Sequence, residues 1–298
     1  MEKMRIFITG GSGLLGQYLN LIFSKEYEIL TQYNTKQGNC FQYNSIQADI
    51  TDYKKIESIL TAFKPDIIMH TAAISSIKNA CELPPKIVYE VNVNATGKLA
   101  ELSSFLGAKL FYSSTDLVYA GYRGSMLKED GKLIPASFYA ETKLMGEEKI
   151  KEVSQDYMIL RTGLLYGFGS NGSTSHFNLI YNNLKNKQPV KLFYDQYRTP
   201  LSLWEAARII SILFKLKIKN EVINFGGKER VSRMELGQRL CEIAGFDKSL
   251  LQKVSMYDIP EVPDAADVSM NTDKLQSFGI KLKNLDESLI EVLNRGHI

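Results

Sequence analysis

Cysteine and histidine are scarce in this 298-residue chain, which has three of each. Cys40, Cys81 and Cys241 lie far apart and are odd in number, which fits free thiols in a reducing cytoplasm and excludes a disulfide framework. Neither they nor the scattered His70, His176 and His297 offer metal-ligand spacing, so no metal site is expected. No apolar run approaches the length of a membrane span. The chain also enters "MRIFITGGSG" without a charged segment, an apolar stretch and a cleavage site, so a cytoplasmic protein with no membrane contact is expected. Basic blocks are missing too. The formal charge of +3 is spread over many Lys and Glu, which gives no nucleic-acid surface and leaves small molecules, anions included, as the expected partners.

What is present is ordinary soluble composition, 44% hydrophobic and 23% charged, enough for one large α/β domain or two smaller ones. Apolar runs of strand length alternate with segments of helical period: 4–9, 28–32, 66–70, 109–114 and 156–161 read as strands. Between two of them, "TDYKKIESILTAF" puts Ile56, Ile59, Leu60 and Phe63 on one helical stripe behind an Asp52 N-cap. Such alternation predicts a doubly wound parallel sheet covered on both faces, with a ligand crevice beyond the carboxyl ends of its strands. After residue 162 the pattern loosens. "GFGSNGSTS" (167–175) reads as a flexible or ligand-covering loop, and helices are expected at 204–216 and 233–244, the latter opened by a Ser232 to Glu235 capping box.

Directly after the first strand, Gly10-x-x-Gly13-x-x-Gly16 leads into a helix. Glycines there allow a tight turn and let Ser12, Leu14 and Leu15 bring backbone N–H groups to a pyrophosphate at the positive end of the helix. Farther on, "ADITD" supplies Asp49 and Ile50 at the end of a third strand, and "HTAA" supplies Ala72 and Ala73. The acid can accept from an adenine amino group and the alanines admit ring and sugar; a loop cap and simple packing are the alternatives. Past the second strand, "TQYNTKQGN" has no carboxylate to hold ribose hydroxyls, and Lys36 stands near enough in sequence to meet a phosphate. NADP(H) is therefore expected over NAD(H), although Lys36 reads equally as a solvated loop residue. Later, "FYAETKLMGEEK" places Tyr139 and Lys143 on one face of a helix, four residues apart.

Taken together, "GGSGLLG", "ADITD", "KPDIIMHTAA", "VNVNATGKLA", "YSSTDLVY", "YAETKLMGE" and "LRTGLLYG" resemble, in order, the extended short-chain dehydrogenase/reductases and within them the dTDP-4-dehydrorhamnose reductase-like group. The resemblance implies a Rossmann domain over 1–162, with a returning helix near 201–217, and a smaller α/β substrate-binding lobe from 163–200 and 218–298. It implies Thr115, Tyr139 and Lys143 as catalytic residues, Tyr139 donating a proton to a ketone that receives hydride while Thr115 holds its oxygen. A free phenol ionises near pH 10, so the Lys143 ammonium is expected to favour phenolate and, by resemblance, to hold the nicotinamide ribose. Asn92 matches a supporting position in a helix interior; satisfying local backbone is its other reading.

Departures shape the expected reaction. Dehydratases of nucleotide sugars resemble Thr-Asp-Glu where this chain has Thr115-Asp116-Leu117, so elimination lacks its glutamic acid and ketone reduction survives. In "FYDQYRTPLS", Gln196 matches the group's pattern, while Arg198 replaces a glycine and resembles an arginine set against a substrate pyrophosphate; a surface ion pair is its alternative. Val262 stands where the group has arginine. The implied function is an NADP(H)-preferring reductase of a 4-keto nucleotide sugar. An NAD-dependent nucleotide-sugar epimerase and a non-catalytic cofactor-binding regulatory subunit are the alternatives, and the family's habits make a homodimer an open expectation.

Overall fold

Strands form where short apolar runs are bounded by turn residues and covered on both faces. The computed structural model describes residues 3–296 apart from 123, 170, 172 and 260–264. In it, β1 (Arg5–Thr9), β2 (Glu28–Tyr33), β3 (Ser45–Gln47), β4 (Ile67–His70), β5 (Lys109–Thr115), β6 (Tyr157–Thr162) and β7 (Glu221–Phe225) make one sheet. Its order is β7-β6-β5-β4-β1-β2-β3 and every pairing is parallel. The five runs expected as strands are all strands. β3 stops before Asp49, which lies in the following turn. β7 comes from a stretch expected in the smaller lobe, yet it runs alongside β6 from Met158 to Thr162 and completes the platform. Nothing local distinguishes "EVINF" at a sheet edge from the same residues in a lobe; only the long-range pairing does.

The helices are α1 (Leu14–Phe23), α2 (Tyr53–Phe63), α3 (Ala95–Leu106), α4 (Phe138–Val153), α5 (His176–Lys185), α6 (Leu203–Phe214), α7 (Arg233–Ala244) and α8 (Leu285–Arg295), with shorter turns between them. One face of the sheet packs on α1 and α6, where Phe23, Phe111, Phe214 and Phe225 meet and the Phe111 and Phe214 rings lie 4.6 Å apart. The other face packs on α2, α3 and α4 through Phe7, Ile56, Leu60, Leu99 and Tyr112. Each such side chain contributes about 1.5–3 kcal/mol by leaving water. A separate cluster joins α5, α7 and α8 to the strand pair Val190–Phe193 and Leu251–Val254, through Phe177, Leu192, Leu240 and Leu289.

Local chemistry sets the helix ends. Asp52 accepts from the Lys55 N–H at 3.2 Å, Ser137 from the Ala140 N–H at 3.2 Å, and Ser232 from the Glu235 N–H at 3.1 Å. The Ser137 cap starts α4 so that Tyr139 sits in its first turn and Lys143 one turn on, along the same face. Of the 167–175 stretch expected as a flexible or ligand-covering loop, the first residues pack on α1: the Tyr18 hydroxyl donates to the Phe168 carbonyl at 2.7 Å, and Phe168 is buried. Residues 170 and 172 of that loop lie outside the described residues. The strand order turns back at β1, which opens a crevice at the carboxyl ends of β1 and β4.

Candidate active site

The crevice has a volume of about 690 Å³ and is walled by the turns after β1, β4, β5 and β6. Gly10 has φ +67°, and a Cβ there would come within 2.8 Å of the Ala72 backbone, so only glycine fits. A Cβ on Gly16 would lie 2.3 Å from the Gly10 carbonyl. Gly13 caps α1 without a side-chain acceptor and the first turn carries no acid, so the positive end of the helix faces the crevice beside Ser12, Leu14 and Leu15. Asp49, Ile50, Ala72 and Ala73 border the same space. Asp49 also acts as a loop cap, one oxygen accepting from the Thr51 N–H at 2.9 Å and hydroxyl at 2.7 Å. At the end of β2, Gln32 accepts from the Gly10 N–H at 3.0 Å, and Asn34 borders the crevice while Lys36 is solvent-exposed.

Thr115 ends β5 and is buried, its hydroxyl accepting from the Leu117 N–H at 3.3 Å and donating to Asp116 Oδ1 at 3.2 Å. It therefore caps the next turn and lines the crevice at once, beside the half-buried Tyr139. Burial pushes the Tyr139 phenol up from its ordinary range, the Asp116 charge pushes it further, and the Thr115 hydroxyl opposes both. Burial also pushes the Lys143 ammonium down to about 7, against the pull of Glu147. Its Nζ lies 4.0 Å from the centre of the Tyr112 ring. In this apolar surround the Tyr139 phenolate is penalised, and so is the Lys143 ammonium that is expected to favour it.

Beneath the crevice runs a directional hydrogen-bond chain. Thr96 donates its hydroxyl to the Asn92 carbonyl at 2.8 Å, so it accepts from His70 Nε2–H at 3.0 Å. His70 Nδ1 then accepts from the Thr9 hydroxyl at 2.7 Å, whose oxygen takes the Ala72 N–H at 3.2 Å. Burial and the Lys143 charge hold His70 neutral, its pKa lowered to about 3. Asn92 sits in a π-helical turn over Glu90–Asn94. Its side chain accepts from the Ile74 N–H at 2.8 Å and donates to Thr142 at 3.0 Å, so it ties the turn after β4 to α4 from below.

On the far side of Asp116 lies a second cavity, of about 930 Å³, bordered by Gln196, Arg198 and Arg233. Arg198 is buried, not at the surface, and donates to the Tyr197 and Ala265 carbonyls at 2.6 and 2.9 Å. Its Nε lies 3.8 Å from Asp116 Oδ2, an oxygen without a hydrogen-bond partner among the described residues. Burial raises the Asp116 carboxyl, with Arg198 opposing. Asp116 thus walls both spaces, and Thr115 and Tyr139 line the crevice with it.

A family model described as the RmlD substrate binding domain matches residues 4–298. The chain belongs to that family. It is an NAD(P)-dependent oxidoreductase of the extended short-chain dehydrogenase/reductase type. A dTDP-4-dehydrorhamnose reductase from Aggregatibacter actinomycetemcomitans is 29% identical over 266 residues, 87% of this chain and 83% of that one. Methionine adenosyltransferase 2 subunit beta from Xenopus laevis is 24% identical over 286 residues, 94% of this chain and 84% of that one. In fold, the chain matches the solved dTDP-4-dehydrorhamnose reductase from Bacillus anthracis, in complex with NADP, with a TM-score of 0.86 at 23% identity, covering 99% and 100% of the two chains.

The residues of this RmlD-family crevice fit a nicotinamide dinucleotide. The glycine cradle is one that a Cβ would fill, the uncapped start of α1 suits a pyrophosphate, and the cleft reaches Tyr139 and Thr115. Two members of the site escaped the sequence reading. Asp116 served there only to contrast with Thr-Asp-Glu, and Arg233 only as the second residue of a capping box. Arg233 did carry a signal: a cation in the first turn of a helix opposes the macrodipole and asks for another reason to be there. Val262 lies outside the described residues.

Proposed function

We propose that this protein reduces a 4-keto sugar carried on a nucleotide, with NADP(H) preferred over NAD(H). The observation that carries the reading is that Thr115 and Tyr139 line the dinucleotide crevice beside Asp116, which also walls the arginine-lined cavity. A nicotinamide dinucleotide held by the glycine turn and the start of α1 would supply hydride. Tyr139 gives its phenolic proton to the carbonyl oxygen, which gains the π pair, and the Thr115 hydroxyl, on turning from Asp116 Oδ1, donates to that oxygen and orients it. An upward-shifted phenol suits this direction, because it stays protonated at neutral pH and an alkoxide is a stronger base than phenolate. Lys143, when charged, offers donors to the coenzyme ribose, and Arg198 offers its guanidinium to a substrate phosphate.

The NADP(H) preference draws support from the end of β2, where Gln32 and Asn34 stand in place of an acid and Lys36 follows. The test is a panel of nucleotide-linked 4-keto sugars with NADPH and NADH, followed by nicotinamide absorbance. Consumption of NADPH in proportion to substrate supports the reading. Sugar interconversion with no net coenzyme use would replace it with an epimerase, and coenzyme binding without any turnover would replace it with a regulatory role.

A further inference from the structure

The buried ammonium of Lys143 rests on an aromatic face, with Nζ over the Tyr112 ring. Among the described residues no carboxylate comes into ion-pair range of it: Glu147, the acid that pulls on the ammonium, is bonded to Arg161 at 2.8 Å. Tyr112 belongs to β5 and is fully buried, and its hydroxyl donates to the Lys143 carbonyl at 3.4 Å. One residue thus holds the ring at its tip and covers its face. That approach depends on Gly146, inside α4. A Cβ there would come within 2.5 Å of the Tyr112 hydroxyl and 3.1 Å of the Asn92 carbonyl. Glycine weakens a helix interior relative to alanine, and here it lets α4 close onto the ring.

The other groups around Lys143 leave its charge to the ring and to Glu147. On α4, burial keeps the Tyr139 phenol protonated; Thr96 of α3 and Asn92 of the π-helical turn are uncharged; and Asp116, after β5, acts on Tyr139. His70 of β4, its ring centre 5.5 Å from that of Tyr112, is held neutral with its pKa lowered to about 3. The face of an aromatic ring is negative and attracts a cation, most strongly where water is excluded.

We propose that Tyr112 is a positioning residue: its ring, admitted beneath α4 by Gly146, keeps the Lys143 ammonium charged and in place for the coenzyme ribose. The inference rests on the role given to Lys143 above and deepens it, so its test reads Lys143 directly.

The coenzyme-free full-length protein, carrying lysine isotope-labelled at Cε, is titrated by NMR, and the Lys143 signal is identified by its loss in Lys143→Met. The wild-type midpoint should lie near 7. Tyr112→Phe keeps the ring and should stay within about 0.3 pH units of it. Fluorinated phenylalanines in place of Tyr112 weaken the negative face at nearly constant shape and should lower the midpoint step by step. Tyr112→Leu should lower it by about one unit or more, a tenfold fall in the charged fraction above the midpoint. Coenzyme affinity at about pH 8, read by nicotinamide fluorescence, should fall in the same order. Where Tyr112→Leu fails to melt cooperatively, the fluorine series decides. A midpoint that fluorination leaves in place, or that rises in Tyr112→Leu, overturns the proposal. So do midpoints that move without coenzyme affinity following, because the ring would then tune a lysine the coenzyme does not use. Failure of the nucleotide-sugar reading would leave every one of these midpoints where it is.

Discussion

Tyr139 and Lys143 show how burial sets reactivity one residue at a time. The same apolar surround pushes the phenol up and the ammonium down, because each charged form loses water it cannot replace. Tyr139→Phe removes the proton donor and leaves the crevice wall intact. Turnover should fall about 10²- to 10⁴-fold while coenzyme binding, read by nicotinamide fluorescence, persists; retained turnover would end the assignment. Lys143 gives a pH test. Its folded pKa is about 7, so the ammonium that is to meet the ribose is present below that pH and lost above it. Coenzyme affinity should therefore fall as pH rises through 7, by at most about tenfold per unit, and Lys143→Met should bind weakly with no such dependence.

At the scale of elements, α4 presents both residues, and what fixes α4 to the sheet is a buried ion pair. Arg161 of β6 donates to Glu147 from Nε at 3.2 Å and from Nη2 at 2.8 Å, and the Ser114 hydroxyl donates to Glu147 at 2.5 Å. Both charged side chains are almost wholly enclosed. Replacing such a pair with apolar residues can be neutral, but removing one partner strands the other. Glu147→Ala should cost about 3–5 kcal/mol in urea melts, far more than an exposed pair such as Lys149–Glu152 would. It should also lower the pKa of Lys143 further, since Glu147 is what pulls it up. A melt within about 1 kcal/mol of wild type would show that α4 is held by packing alone.

Across the whole molecule, the platform is not continuous in sequence. α6 and β7 supply Leu203, Ala206, Ile210, Phe214, Ile223 and Phe225 to the core that α1 and the sheet begin. A fragment ending at residue 162 would expose Phe23, Phe111 and the β6 edge. It should show no cooperative thermal transition by circular dichroism and should not bind coenzyme, although every glycine of the phosphate turn is present. A cooperative melt of that fragment would show that the first half folds alone.

The sequence by itself determined the strand runs, the capped helix starts, the glycine turn and the Tyr139–Lys143 spacing, because each depends on neighbours a few residues away. Apolar runs of strand length alternating with helical stripes favour buried parallel strands, and a glycine triplet between the first strand and its helix favours a tight turn. Tertiary structure alone decided that β7 belongs to the platform, that Asp116 walls two spaces, and that Arg233 stands beside Arg198. It also decided the direction of the Tyr139 shift. Burial and like-charge repulsion are properties of what surrounds a group in space, and those surroundings come from segments more than a hundred residues apart, such as those carrying Asp116 and Arg233.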